Sequence, residues 1–120
     1  MARNVLGTDL AVCSETPVTG YFRNGRCDTC GDDRGMHTIC ARMTEAFLEF
    51  SLQQGNDLTT PQPLYNFPGL RPGDYWCVCL ARWLEAHEAG VAPPIKLDAV
   101  HSSALEFIDL SVLESYRIAD

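Results

Sequence analysis

Lysine occurs once in this chain, at Lys96, among nine basic residues set against sixteen acidic ones, and the formal net charge is −7. The average surface therefore repels phosphate and anionic lipid, and no basic stripe interleaved with aromatics offers a nucleic-acid footprint. Nucleic acid and membrane are not expected partners. Long apolar runs are missing as well, so no segment is long enough to span a bilayer, and the opening residues from Met1 to Gly7 lack the apolar stretch of a signal peptide. A cytoplasmic location is expected. There is no phosphate-binding glycine loop, no dinucleotide fingerprint, no serine nucleophile elbow and no paired-histidine zinc motif.

What is present is enough apolar material for a core. With 120 residues and 46% hydrophobic content, spread from Val5 to Ile118 without a linker or repeat, residues 1–120 are expected to fold as one domain. Six cysteines, at 13, 27, 30, 40, 77 and 79, are the unusual component. In a reducing compartment they are expected as free thiols, metal ligands or redox groups rather than as a disulfide framework.

Residues 4–24 read as irregular chain with one short strand, and residues 24–35 as a surface loop rich in turn formers. From Thr38 onward, Ile39, Met43, Ala46, Phe47 and Phe50 recur at three- and four-residue spacing. That pattern predicts a long helix over about 39–54, capped by Thr38 and stopped by Gly55. Four prolines between residues 55 and 74 predict an ordered loop. Trp76 to Cys79 fits a strand or a first helical turn, Leu80 to Ala89 is helical with Gly90 as its stop, and Ile95 to Val100 alternates as a half-buried strand. Short helices are expected from Ser102 or Ser103 to Phe107 and from Val112 to Tyr116. The fold class is α+β: one long helix plus shorter helices packed on a small sheet, with long ordered loops.

Many ordered pieces together resemble a bacterial family catalogued as domain of unknown function 2237. They include Thr19-Gly20-Tyr21-Phe22-Arg23, His37-Thr38-Ile39-Cys40-Ala41, Gly55-Asn56-Asp57-Leu58, and Pro72-Gly73-Asp74-Tyr75-Trp76-Cys77-Val78-Cys79. The resemblance covers nearly the whole chain and implies no activity. Cys13, Cys27, His37, Cys40, Cys77 and Cys79 fall on matching positions. The family pattern has a Cys-Cys pair where this chain has Arg26-Cys27, and a glycine where it has Cys30, which marks Cys30 as a local peculiarity.

Three readings of function follow, in this order. The first is a small-ligand-binding or scaffold domain in which seven residues, Arg23, His37, Cys40, Asn56, Asp57, Trp76 and Arg82, gather around a polar pocket for a small anion; Asp33 is of the same class as the two arginines, a ligand contact or an internal ion-pair partner. The second is a thiol-dependent enzyme or redox protein using Cys40, activated by a helix amino end and by His37. The third is a zinc or soft-metal site. Cys27-x-x-Cys30 followed by His37-x-x-Cys40 can enclose a tetrahedral zinc, and Cys77-x-Cys79 can share a soft metal if it lies on a strand. Zinc is possible on this pattern but not favoured, because the resemblance lacks a cysteine at position 30.

Overall fold

The computed structural model describes residues 2–118. Its centre is a two-stranded antiparallel sheet, β1 (Ile39–Arg42) and β2 (Tyr75–Val78), with α1 (Glu45–Gln53) after β1 and α2 (Leu80–Glu88) directly after β2. A third helix, α3 (Leu110–Ser115), closes the described chain, and single 3-10 turns occupy Pro63–Tyr65, Leu97–Ala99 and Ser102–Glu106. This is an α+β fold, with its longest helices nine residues each.

The register pairs Ile39 with Val78, Cys40 with Cys77, Ala41 with Trp76 and Arg42 with Tyr75. Because successive strand side chains point to opposite faces, the sheet divides the interior in two. On one face Ile39, Ala41, Trp76 and Val78 join Phe47 of α1, Leu80 and Trp83 of α2, Ile95 and Leu113 in the main apolar core. On the other face Cys40 and Cys77 meet Cys13, Cys27 and Ala99 in a second, smaller core, with Ala11 and Tyr75 packed against it. The outer edges of both strands are covered: the Cys77 N–H donates to Thr19 Oγ1 at 2.8 Å, and the Cys40 carbonyl accepts from the Lys96 N–H at 2.9 Å.

The single long helix expected over 39–54 is thus a strand followed by a shorter helix. Ile39 and Ala41 go to one core and Cys40 to the other, an alternation of period two. A helix advancing about 100° per residue would turn Cys40 away from Cys77. The true amino cap is Thr44, not Thr38: its Oγ1 accepts the Phe47 N–H at 3.1 Å. Gly55 does stop the helix, at φ +85°. The strand expected over 95–100 shrinks to bridges from Ile95 to Ala41 and to Arg117, after which Leu97 and Ala99 are buried from a 3-10 turn. Residues 3–24 contribute isolated bridges only, Arg3 to Asp9, Asn4 to His101 and Glu15 to Val18, in place of the short strand expected over 4–24.

Candidate functional site

Two local arrangements carry chemistry. The first is the sulfur core. Cys13 is disulfide-bonded to Cys40, with Cα atoms 5.7 Å apart, and Cys27 to Cys77, with Cα atoms 5.2 Å apart. The sulfurs of Cys13, Cys27 and Cys77 all lie within 4.8 Å of one another, so the two bonds sit side by side. All four residues are buried, Cys27 and Cys40 completely. The sheet supplies Cys40 and Cys77; the loops supply the others, which are held by the Cys13 N–H donating to the Gly25 carbonyl at 2.7 Å and by buried Thr19, whose Oγ1 accepts the N–H of Cys77 on β2. Lys96 lies alongside, with its ammonium donating to the Val12 carbonyl at 2.7 Å.

This arrangement revises the sequence expectations for the thiols. Cys40 lies inside a strand and in a disulfide, not at a helix amino end, so it lacks the dipole and the exposure expected to activate it. His37 turns away from it: its Nδ1 lies 2.7 Å from Asp33 Oδ1. Neither the Cys27, Cys30, His37, Cys40 set nor the Cys77, Cys79 pair forms a common site. Cys30 is exposed, while β2 ends at Val78 and Cys79 leaves the sheet as the residue before α2. The expectation of free thiols holds for Cys30 and Cys79 and is replaced by disulfides for the other four.

Asp33 is buried, and burial pushes its carboxyl upward. Hydrogen bonds from the His37 N–H, the His37 ring and the Thr29 hydroxyl, together with the charge of the ring, outweigh this and leave it below the ordinary aspartate value. Gly35 lies against the imidazole, since a Cβ there would stand 2.8 Å from His37 Cε1. The pair orients a half-exposed histidine with one ring nitrogen fixed.

The second arrangement is a cleft of about 120 Å³ lined by Val18, Arg23, Tyr65, Asn66, Phe67 and Trp76. The Arg23 guanidinium carbon stands 5.1 Å from the centroid of a Trp76 ring, and the Phe67 and Trp76 rings are 5.2 Å apart. Arg23 Nη1 donates to the Gly20 carbonyl at 2.9 Å, and among the described residues no carboxylate pairs with Arg23. Arg23 and Asn66 both hold left-handed backbone, at φ 53° and 54°, a conformation that is uncommon without glycine and that concentrates at binding sites. Val18 and Tyr65 are exposed at the rim.

Of the seven residues expected around one pocket, the structure brings only Arg23 and Trp76 together. Asp57 instead binds its own chain: Thr59 and Thr60 donate to it through their backbone N–H groups and hydroxyls. The Thr60 hydroxyl is the main cause of its lowered pKa. Asn56 follows the helix stop, its N–H donating to the Ser51 carbonyl. Arg82 Nη1 is divided between the Gln54 carbonyl and Glu85 at 3.2 and 3.3 Å. These are local turn and helix-surface roles. A larger groove of about 650 Å³ runs along Leu6, Tyr75 and residues 95–98 to Ile118, where the described chain ends. It carries Lys96 and Arg117 beside Asp98 and Glu114, and none of the expected site residues.

The sequence profile of a bacterial family of uncharacterised proteins, DUF2237, matches residues 3–117. The chain belongs to the DUF2237 family. No curated protein matches it. The match spans both arrangements in this DUF2237 chain, the sulfur core and the cleft. Reading the sequence alone missed Cys13 as a member of the sulfur core, and Tyr65, Asn66 and Phe67 as cleft walls. For Cys13 a partial signal existed: it falls on a family-matching position together with Cys27, Cys40, Cys77 and Cys79, whereas Cys30 does not.

Proposed function

We propose that this is a small-ligand-binding domain whose site is the cleft over Trp76, and that its ligand is a small organic anion with a flat or apolar portion. The observation that carries this is the Arg23 guanidinium beside Trp76 at an exposed apolar rim, with no acidic partner among the described residues. A guanidinium held against an aromatic face keeps free N–H donors in the fork geometry that suits a carboxylate or phosphate, while Phe67, Val18 and Tyr65 receive apolar atoms. A cleft of this size takes a short acid, or the end of a longer one.

A thiol-based activity through Cys40 and His37 has less support, since Cys40 is sealed and bonded to Cys13. The cytoplasmic placement belongs to the same proposal, and the state of the core sulfurs reads it out: protein from a reducing compartment carries them as thiols or thiolates. Tryptophan fluorescence tests the binding proposal, because Trp76 lines the cleft while Trp83 is fully buried. Benzoate should change the emission saturably and benzamide much less. Arg23→Gln should weaken benzoate binding by roughly 10-fold or more, as expected for a lost charge-assisted hydrogen bond. Absence of saturable binding by small carboxylates, or indifference to Arg23→Gln, contradicts the proposal.

A further inference from the structure

We propose that the sulfur core is also a metal site: with both disulfides reduced, Cys13, Cys27, Cys40 and Cys77 bind one zinc-class divalent cation as a buried tetrathiolate. Three of the sulfurs, those of Cys13, Cys27 and Cys77, lie within 4.8 Å of one another; the fourth, from Cys40, is bonded to Cys13 but stands outside that triad, so reduction of the Cys13–Cys40 bond must let it swing toward the other three. A tetrahedral zinc with bonds of about 2.3 Å sets its sulfurs about 3.8 Å apart, so on reduction the two bonded pairs open while the non-bonded sulfurs draw closer together.

The scaffold holds this geometry by means other than the disulfides. Cys40 and Cys77 are cross-strand partners on one face of the sheet, and the loops bearing Cys13 and Cys27 are tied by the Cys13–Gly25 and Thr19–Cys77 hydrogen bonds. Four buried thiolates around a divalent cation carry a net charge of −2, which needs a nearby cation in a dry site. The chain's one lysine supplies it, bonded through its ammonium to the Val12 carbonyl, next to Cys13, and through its backbone N–H to the Cys40 carbonyl. Among the described residues this ammonium has no carboxylate partner.

The chemistry balances with a dithiol as reductant. Two equivalents of dithiol reduce the two protein disulfides to four thiols and are themselves oxidised to two disulfides; the cation then displaces four protons. In the reverse direction, two equivalents of hydrogen peroxide take four electrons from the four thiolates. Two disulfides form, the cation leaves, and the peroxide oxygens and four protons appear as four waters. Release thus couples metal occupancy to oxidation, and both end states use the same four side chains.

Cobalt(II) is the probe. Full-length protein reduced under argon and freed of reductant is titrated with cobalt, then with zinc. The expected result is one cobalt per chain, with the visible bands of tetrahedral thiolate coordination, displaced by one zinc. In the zinc form two of the six thiols, those of Cys30 and Cys79, should react promptly with a disulfide reagent, and two equivalents of peroxide should release the zinc. The Cys30→Ser/Cys79→Ser double variant should bind unchanged, and Cys77→Ser should weaken binding by at least about 100-fold. Reduced wild-type protein that gives no tetrahedral cobalt spectrum, folded or not, overturns the proposal. So does loss of the spectrum in the Cys30→Ser/Cys79→Ser variant, which would assign the ligands elsewhere.

Discussion

At Asp33 a nearly sealed carboxylate is held by the Thr29 hydroxyl and by the backbone and ring of His37. Its folded pKa lies below its unfolded value, so between the two the unfolded chain binds the extra proton and stability rises with pH. That stability is fully present above the ordinary aspartate range and is lost as pH falls through the folded value. Asp33→Asn should therefore destabilise the protein at neutral pH and flatten the decline of its unfolding free energy below about pH 4, leaving the part due to exposed Asp57, whose pKa is also lowered. Denaturant titrations at a series of pH values measure this; an unchanged pH slope would mean that the Asp33–His37 pair does not persist in solution. Single residues were unevenly legible in the sequence. Arg23 and Trp76 stood out as chemically expressive types, and they do meet. Asp57 and Arg82 were equally expressive but are consumed by neighbours three residues away or fewer, and by the Gln54 carbonyl. Composition does not distinguish a side chain facing a ligand from one facing its own backbone.

At the scale of elements, the segment from Thr38 to Gln54 shows how two periods can share one sequence. Ile39, Met43, Phe47 and Phe50 fit a helical stripe, yet Met43 lies between the strand and Thr44, tied by its N–H to the Asp74 carbonyl and by its carbonyl to the Gly73 N–H. Long-range pairing with β2, which local spacing cannot reveal, decides the matter. The helix that remains rests on its cap and on one large side chain. Thr44→Ala should cost about 1 kcal/mol of unfolding free energy by leaving the Phe47 N–H without its acceptor. Phe47→Ala should cost about 3 to 5 kcal/mol, because the ring is wholly buried between the sheet and α2. Chemical denaturation measures both, and the order of the two costs is the stricter check: a cap variant as damaging as the core variant would mean that α1 is not packed as described. The second helix was easier to read, since Leu80, Trp83 and Ala86 keep their helical spacing and Gly90 ends it at φ +77°.

Across the whole molecule, the sheet has an apolar core on one side and a sulfur core on the other, and the second joins the N-terminal loops to the rest. The two disulfides close sequence separations of 27 and 50 residues, a constraint on the unfolded chain of about 3.5 to 4 kcal/mol each in the chain-entropy picture. Reductant with a chelator should therefore lower the thermal midpoint by about 15 °C or more. Added zinc should restore much of that if the reduced sulfurs take a metal. The fold class was legible because it depends on composition and on the sum of many local patterns. Which cysteines meet was not, because Cys13, Cys27, Cys40 and Cys77 are brought together by strand register and loop closure, while the close spacings Cys27-x-x-Cys30 and Cys77-x-Cys79 lead to no shared site. The most direct test is disulfide mapping by peptide mass spectrometry after mild oxidation of the folded protein. The expected bonds are Cys13–Cys40 and Cys27–Cys77, with Cys30 and Cys79 unpaired. A Cys27–Cys30 or Cys77–Cys79 bond as the principal product would contradict this pairing.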